Sequence, residues 1–142
     1  MKPETTVELQ HTMLESANID AYLNSNRPYF SEQDVPELLT ELYEKKSISK
    51  ADLARNAGIS VVYLHQVFSG RRKPSRDRLL CLCIGLEATL EETQRLLMQS
   101  VYAQLYPKIK RDAIISYGIV HHMSLEQIND KLYAENEEVL SG

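Results

Sequence analysis

The sequence predicts an all-α protein, and three observations carry that expectation. β-branched residues are scattered, and no two alternating runs flank a hairpin turn. Ser or Thr stands three residues before Asp, Glu or Gln at Ser49/Asp52, Thr89/Glu92 and Ser124/Gln127, the spacing of a helix-opening capping box. Leu and Ile then recur at helical intervals behind each of these positions.

Taken in order, Val7 to Ser16 reads as a short helix with Leu9, Met13 and Leu14 apolar, and Asn18 caps a second piece through Leu23. Asn24-Ser25-Asn26-Arg27-Pro28 is a loop. Pro36 leads into a helix over Glu37–Lys46, with Leu38, Leu39 and Leu42 on one face. Ser49 caps a helix from Lys50 to Ala57, with Ile48 and Leu53 as its hydrophobic staple. Gly58 tolerates the positive φ that a sharp turn between helices requires. Ser60 caps the next helix, stapled by Ile59 and Leu64 and ended by Gly70.

Ser75 opens a strongly apolar helix over Arg76–Leu86, carrying Leu79, Leu80, Leu82, Cys83 and Leu86. Thr89 opens one reaching Leu105, and Pro107 breaks the pattern. A helix over Arg111–His122 presents Ile114, Ile115, Ile119 and Val120. Ser124 starts the last one, which runs to Tyr133 with Met123 and Ile128 as staple. Three segments result: an acidic N-terminal extension over 1–34, a central bundle over 35–106 and a helical pair over 107–142.

The chain is long enough to bury a core without staples. Cys81 and Cys83, two residues apart, lie on different helix faces, so neither a disulfide nor a metal pair is expected. Buried thiols in a reducing compartment are the simple reading. No apolar run reaches membrane-spanning length and no signal peptide opens the chain, so a soluble cytoplasmic protein is expected. No nucleophile triad, P-loop or glycine fingerprint is present, and no enzymatic activity, cofactor or metal is expected. His121-His122 reads as a surface pair favoured by a helix C-terminus. Tyr102, Tyr106 and Tyr117 read as core, with a ligand pocket as the alternative.

The acidic balance of the whole chain conceals a strong asymmetry. Residues 1–45 hold three Lys/Arg against nine Asp/Glu, residues 46–78 eight against two, and residues 79–142 five against nine. Positive charge is thus concentrated on one short stretch, as a protein that meets an anionic duplex on one face requires.

That stretch also carries a family likeness. Leu53-Ala54, Ala57-Gly58-Ile59-Ser60, Leu64, Val67, the run Ser69-Gly70-Arg71-Arg72-Lys73-Pro74-Ser75, and then Leu79 and Leu80 resemble the helix-turn-helix of the lambda repressor and Cro superfamily, the XRE-type regulators of bacteria and phage. The likeness runs from roughly Val35 to Gln99. It implies a lambda repressor-like bundle whose second motif helix lies in the major groove of double-stranded DNA. Carried over by position, Leu64 and Val67 are buried, while Ser60, Val61, Val62, His65, Gln66 and Ser69 face the bases. Gln66 is the best reader, because its amide can pair with both N6 and N7 of adenine. Lys50, Arg71, Arg72 and Lys73 are expected on phosphates, where they supply salt-dependent affinity.

One departure stands out. Family members usually carry polar residues where Val61 and Val62 stand. Either these two valines read thymine methyls, or the face serves a protein partner, as in an adaptor or an antitoxin. The likeness also implies a repressor that occupies an operator as a homodimer. The helix Leu90–Leu105, with Leu96, Leu97, Val101 and Leu105 apolar, and the C-terminal pair are its candidate interfaces, or these positions only complete the core; the C-terminal helices could also hold a protein partner. The acidic N-terminal segment could pack on the body, mask the basic face or contact a partner.

Overall fold

The computed structural model describes residues 34–141, and these residues are helix and loop with no strand. The helices expected at Val7–Ser16 and Asn18–Leu23, and the loop that follows them, lie outside these residues. The described helices are α1 (Val35–Glu44), α2 (Lys50–Ala57), α3 (Val61–Phe68), α4 (Arg76–Gly85), α5 (Leu90–Gln99), α6 (Lys110–Val120) and α7 (Leu125–Ala134).

Side-chain caps start six of the seven. Asp34, Ser49, Ser60, Ser75, Thr89 and Ser124 each accept a hydrogen bond from the backbone N–H three residues on. Reciprocal capping boxes form at Thr89/Glu92 and Ser124/Gln127. At Ser49 only half of the expected box forms, because the shorter Asp52 carboxylate pairs with Arg55 instead of turning back. The α1 helix starts two residues before the expected Glu37 and ends at Glu44, its cap supplied by Asp34 rather than by the proline.

The α5 helix is shorter than expected. It stops at Gln99 instead of reaching Leu105, because Val101 turns left-handed at φ 61°. The Val101 N–H then bonds the Met98 carbonyl at 3.0 Å and the Tyr102 N–H bonds the Leu97 carbonyl at 2.9 Å, which satisfies the last carbonyls of the helix. Beyond this stop, Gln94 pins the chain in both directions. Its Nε2 donates to the Leu105 carbonyl at 2.9 Å and its Oε1 accepts from the Leu105 N–H at 2.8 Å.

α4 is the axis of the bundle. Seven consecutive residues, Leu79 to Gly85, are buried, so this helix is apolar on every side. α2 packs along it more extensively than any other pair of elements, and α5 and α7 also touch it. Leu53, Leu64, Leu79, Leu80, Leu82, Leu96 and Leu97 form the centre of one core that also takes in Ile115, Ile128 and Leu132 from the last two helices. Three of the four residues considered for a subunit interface, Leu96, Leu97 and Leu105, are therefore core, while Val101 stands 88% exposed. Tyr106 and Tyr117 are exposed rather than core, and Tyr102 is half-buried. His121 and His122 are exposed at the end of α6.

The last two helices are held by packing and by charge. Gly118 of α6 meets Ile128 of α7 so closely that an added Cβ would sit 2.4 Å from Ile128 Cγ1. At the other end, Arg111 donates to both carboxylate oxygens of Asp77 and to the Glu138 and Val139 carbonyls. Arg76 reaches back to Asp112 at 3.3 Å. Asn129 fixes the following segment by accepting from the Leu140 N–H at 2.7 Å and donating to its carbonyl at 3.1 Å.

Candidate nucleic-acid interface

α2, the turn at Gly58 and α3 form a helix-turn-helix. Gly58 adopts φ 68°, a backbone state that a side chain would strain, and the Ile59 N–H bonds the Ala54 carbonyl at 3.0 Å to close the turn. Ser60 then caps α3. Leu64 and Val67 point inward and are 0% and 1% exposed, which fixes the rotation of the helix about its axis.

The opposite side of α3 lies open. Val62 is 68% exposed and Val61 40%. His65 and Ser69 are exposed and Gln66 is half-buried. Val62, His65, Gln66 and Ser69 line one groove of about 610 Å³ together with Lys50, Arg71, Thr40 and Phe68. Four of the six side chains assigned to bases and two of the four assigned to phosphates thus share one concave surface.

Ser60 and Ser69 already have local work. The Ser60 hydroxyl accepts from the Tyr63 N–H at 3.0 Å, and the Ser69 hydroxyl donates to the Gln66 carbonyl at 3.1 Å. Ser60 retains its proton for a further acceptor, whereas Ser69 retains only lone pairs.

The basic loop is anchored at its base. Gly70 takes φ 83°, and the Arg71 and Arg72 N–H groups both bond the Gln66 carbonyl, at 2.9 and 3.2 Å. Arg71, Arg72 and Lys73 are exposed. Pro74 is buried, and its carbonyl accepts from the Tyr102 hydroxyl at 2.7 Å. Lys73 lies over the Tyr102 ring, 4.9 Å from its centre. The loop is therefore tied to the segment that follows α5 through Tyr102.

Lys50 is seated against two aromatic rings. Its ammonium lies 5.0 Å from the Phe68 ring centre and 5.6 Å from that of Tyr43, and the two rings meet edge to face. Such an aromatic seat is worth about 0.5–1 kcal/mol at an exposed site, and it holds the ammonium in the groove without neutralising it. Arg78 of α4 lies over the Tyr63 ring of α3 at 4.1 Å. Thr40, Tyr43, Phe68 and Tyr102 escape sequence reasoning, because each joins the site by a contact distant in the chain. Only Phe68, inside the motif, carries a local hint.

A small all-α bundle whose second motif helix is exposed beside a cationic loop defines the class of helix-turn-helix proteins. The helix-turn-helix domain family matches residues 19–96, more than half of the chain, and the protein belongs to that family. No curated protein and no solved structure matches it.

Proposed function

We propose that this protein is a sequence-specific regulator of transcription that lays α3 in the major groove of double-stranded DNA and represses by occupying an operator. One observation carries this reading: Val62, His65, Gln66 and Ser69 of α3 share an open groove with Lys50 and Arg71. Base-reading and phosphate-holding chemistry are combined on one face, as duplex recognition needs. In this proposal Gln66 pairs with adenine and His65 with a guanine acceptor or a phosphate. Val61 and Val62 contact thymine methyls, and Ser60 and Ser69 lie at the two ends of the reading surface. Lys50, Arg71, Arg72 and Lys73 hold phosphates.

The exposure of Val62 supports a second reading, in which the same face is the docking patch of an adaptor or antitoxin. The cationic loop beside it favours DNA, since an apolar partner has no use for three adjacent positive charges.

Reading by pairs of half-sites about one helical turn apart requires two copies. In this proposal a homodimer forms on DNA, and it uses surface other than Leu96, Leu97 and Leu105, which are consumed inside the chain. Selection of bound sequences from a random duplex pool at fixed salt tests both points. An enriched motif rich in A·T pairs, repeated at one-turn spacing, is expected. A pool that stays random through repeated rounds would overturn the reading, and a motif without a repeat would remove the dimer.

A further inference from the structure

Away from the helix-turn-helix, α6 and α7 leave a groove between them that the core does not fill. Its volume is about 520 Å³, within the roughly 300–1,000 Å³ typical of small-molecule sites. Lys110, Ala113, Ile114 and Tyr117 project into it from one stripe of α6, at the spacing of successive turns. Met123, from the connection to α7, also lines it. Ile114 and Met123 rest on the core and expose only part of their surface. The Tyr117 ring, 62% exposed, is braced by His121 with ring centres 4.1 Å apart.

The polar groups gather at one end. Lys110 and Lys131 both reach Glu135, at 3.4 and 3.8 Å, and Lys110 also donates to the Glu135 carbonyl at 3.1 Å. Two ammonium groups thus face one carboxylate, and the rim keeps an excess positive charge. Both lysines are more than half exposed, so neither is saturated by its partner. An apolar trough with a cationic mouth complements a molecule of the opposite build: a hydrocarbon body with one terminal negative charge.

We propose that the groove between α6 and α7 binds a small alkyl carboxylate, its chain along Ala113, Ile114 and Met123 and its carboxylate taken by the Lys110 and Lys131 ammonium groups in competition with Glu135. The site is independent of the DNA-binding face, and its occupancy is measured without DNA.

The test uses the full chain, with octanoate as probe, and follows the methyl signals of Ile114 and Met123 by NMR during titration. Saturable shifts confined to these methyls and their neighbours are expected. Octan-1-ol, with the same tail and no charge, is expected to bind about tenfold more weakly, the loss of one charge-assisted contact. Lys131→Glu, on a side chain that is 58% exposed, leaves the fold intact and weakens octanoate by a similar factor while sparing octan-1-ol. Equal binding of acid and alcohol, an unchanged octanoate affinity in Lys131→Glu, or the absence of saturation would overturn the proposal. Methyl shifts that follow protein concentration rather than octanoate would assign the groove to a second copy instead, and would overturn it equally.

Discussion

Arg111 of α6 grips Asp77 of α4 with both arms of its guanidinium, Nη1 at 3.2 Å from Oδ1 and Nη2 at 2.9 Å from Oδ2. The side chains are 18% and 25% exposed, so the pair is shielded but not dry. Asp77, by its hydrogen bonds, raises the Arg111 pKa above its ordinary value. The neighbouring residues cross the same gap in the opposite sense, Arg76 to Asp112. Two Arg-Asp dipeptides at the starts of two helices therefore clasp each other, and the last helical pair is locked to the helix that follows the basic loop.

Removing the two partners should not be equivalent. Asp77→Ala leaves Arg111 its bonds to the Glu138 and Val139 carbonyls, at 2.8 and 3.3 Å. Arg111→Ala removes all of them and also strands Asp77. Urea unfolding should show about 1–2 kcal/mol lost for Asp77→Ala and about 2–4 kcal/mol for Arg111→Ala. The double variant should be less damaged than the sum, with a coupling of about 1–2 kcal/mol. Strict additivity would mean that the clasp contributes nothing as a pair.

Val101 holds a left-handed backbone state while its side chain is 88% exposed. A β-branched residue is strained there by about 1–2 kcal/mol, and the side chain returns almost no packing. Val101→Gly should therefore stabilise the fold, even though glycine gains freedom in the unfolded chain that offsets about half of the relief. The expected net gain is about 0.5–1 kcal/mol, read as a higher thermal midpoint. A lower midpoint would show that the strain at Val101 is smaller than the entropy that glycine adds to the unfolded chain.

The same residue explains where the sequence misleads. Helix starts are legible because Ser49, Ser60, Ser75, Thr89 and Ser124 announce themselves by residue type. The stops are written in backbone conformation, and among the described residues glycine marks only two of the left-handed positions, Gly58 and Gly70. Glu87, Val101, His122 and Asn136 hold the others, and of these only Asn136 is a residue type that commonly marks a stop. Hence α2 is read to the residue, whereas α5 is read too long. In the candidate site, the outward residues of α3 are legible only through the family likeness, carried over position by position from Leu64 and Val67. The seat of Lys50 on Tyr43 and Phe68 is not legible, because it depends on how α1 docks beside α3.

The two thiols set a limit at high pH. Burial pushes Cys81 up to about 11 and Cys83 up to about 12 from the ordinary value of 9.0. The neutral thiol is thus favoured in the folded state, and the unfolded chain releases these protons first as pH rises. Their contribution is complete below pH 9 and is lost as the pH climbs toward 11 and 12. Urea midpoints should be level between about pH 7 and 8.5 and fall beyond pH 9. In Cys81→Ala/Cys83→Ala the fall should be shallower, since only lysine and tyrosine titration remains. An identical alkaline slope in the double variant would show that the thiols are reached by solvent. Fast reaction with a thiol reagent at pH 8 would show the same.

Four substitutions separate the contributions of charge, base reading and positioning on α3. Gln66→Ala removes an amide that can pair with one adenine. Specific binding should weaken by about 1–3 kcal/mol, with preference relaxed at a single base pair. In the proposed reading Arg71 and Lys50 each hold one phosphate, so in Arg71→Ala and Lys50→Ala all sequences should bind more weakly and the salt slope should fall by about one. Phe68→Leu keeps apolar bulk but takes away a ring on which Lys50 rests, while the charge stays. Affinity should drop about two- to fivefold with the salt slope unchanged. A slope that falls in Phe68→Leu as it does in Lys50→Ala would mean that the ring decides whether the ammonium reaches a phosphate at all. If none of the four changed binding to duplex DNA while Val62→Asp abolished capture of a protein, the exposed valines would belong to a docking patch and the regulator reading would fall.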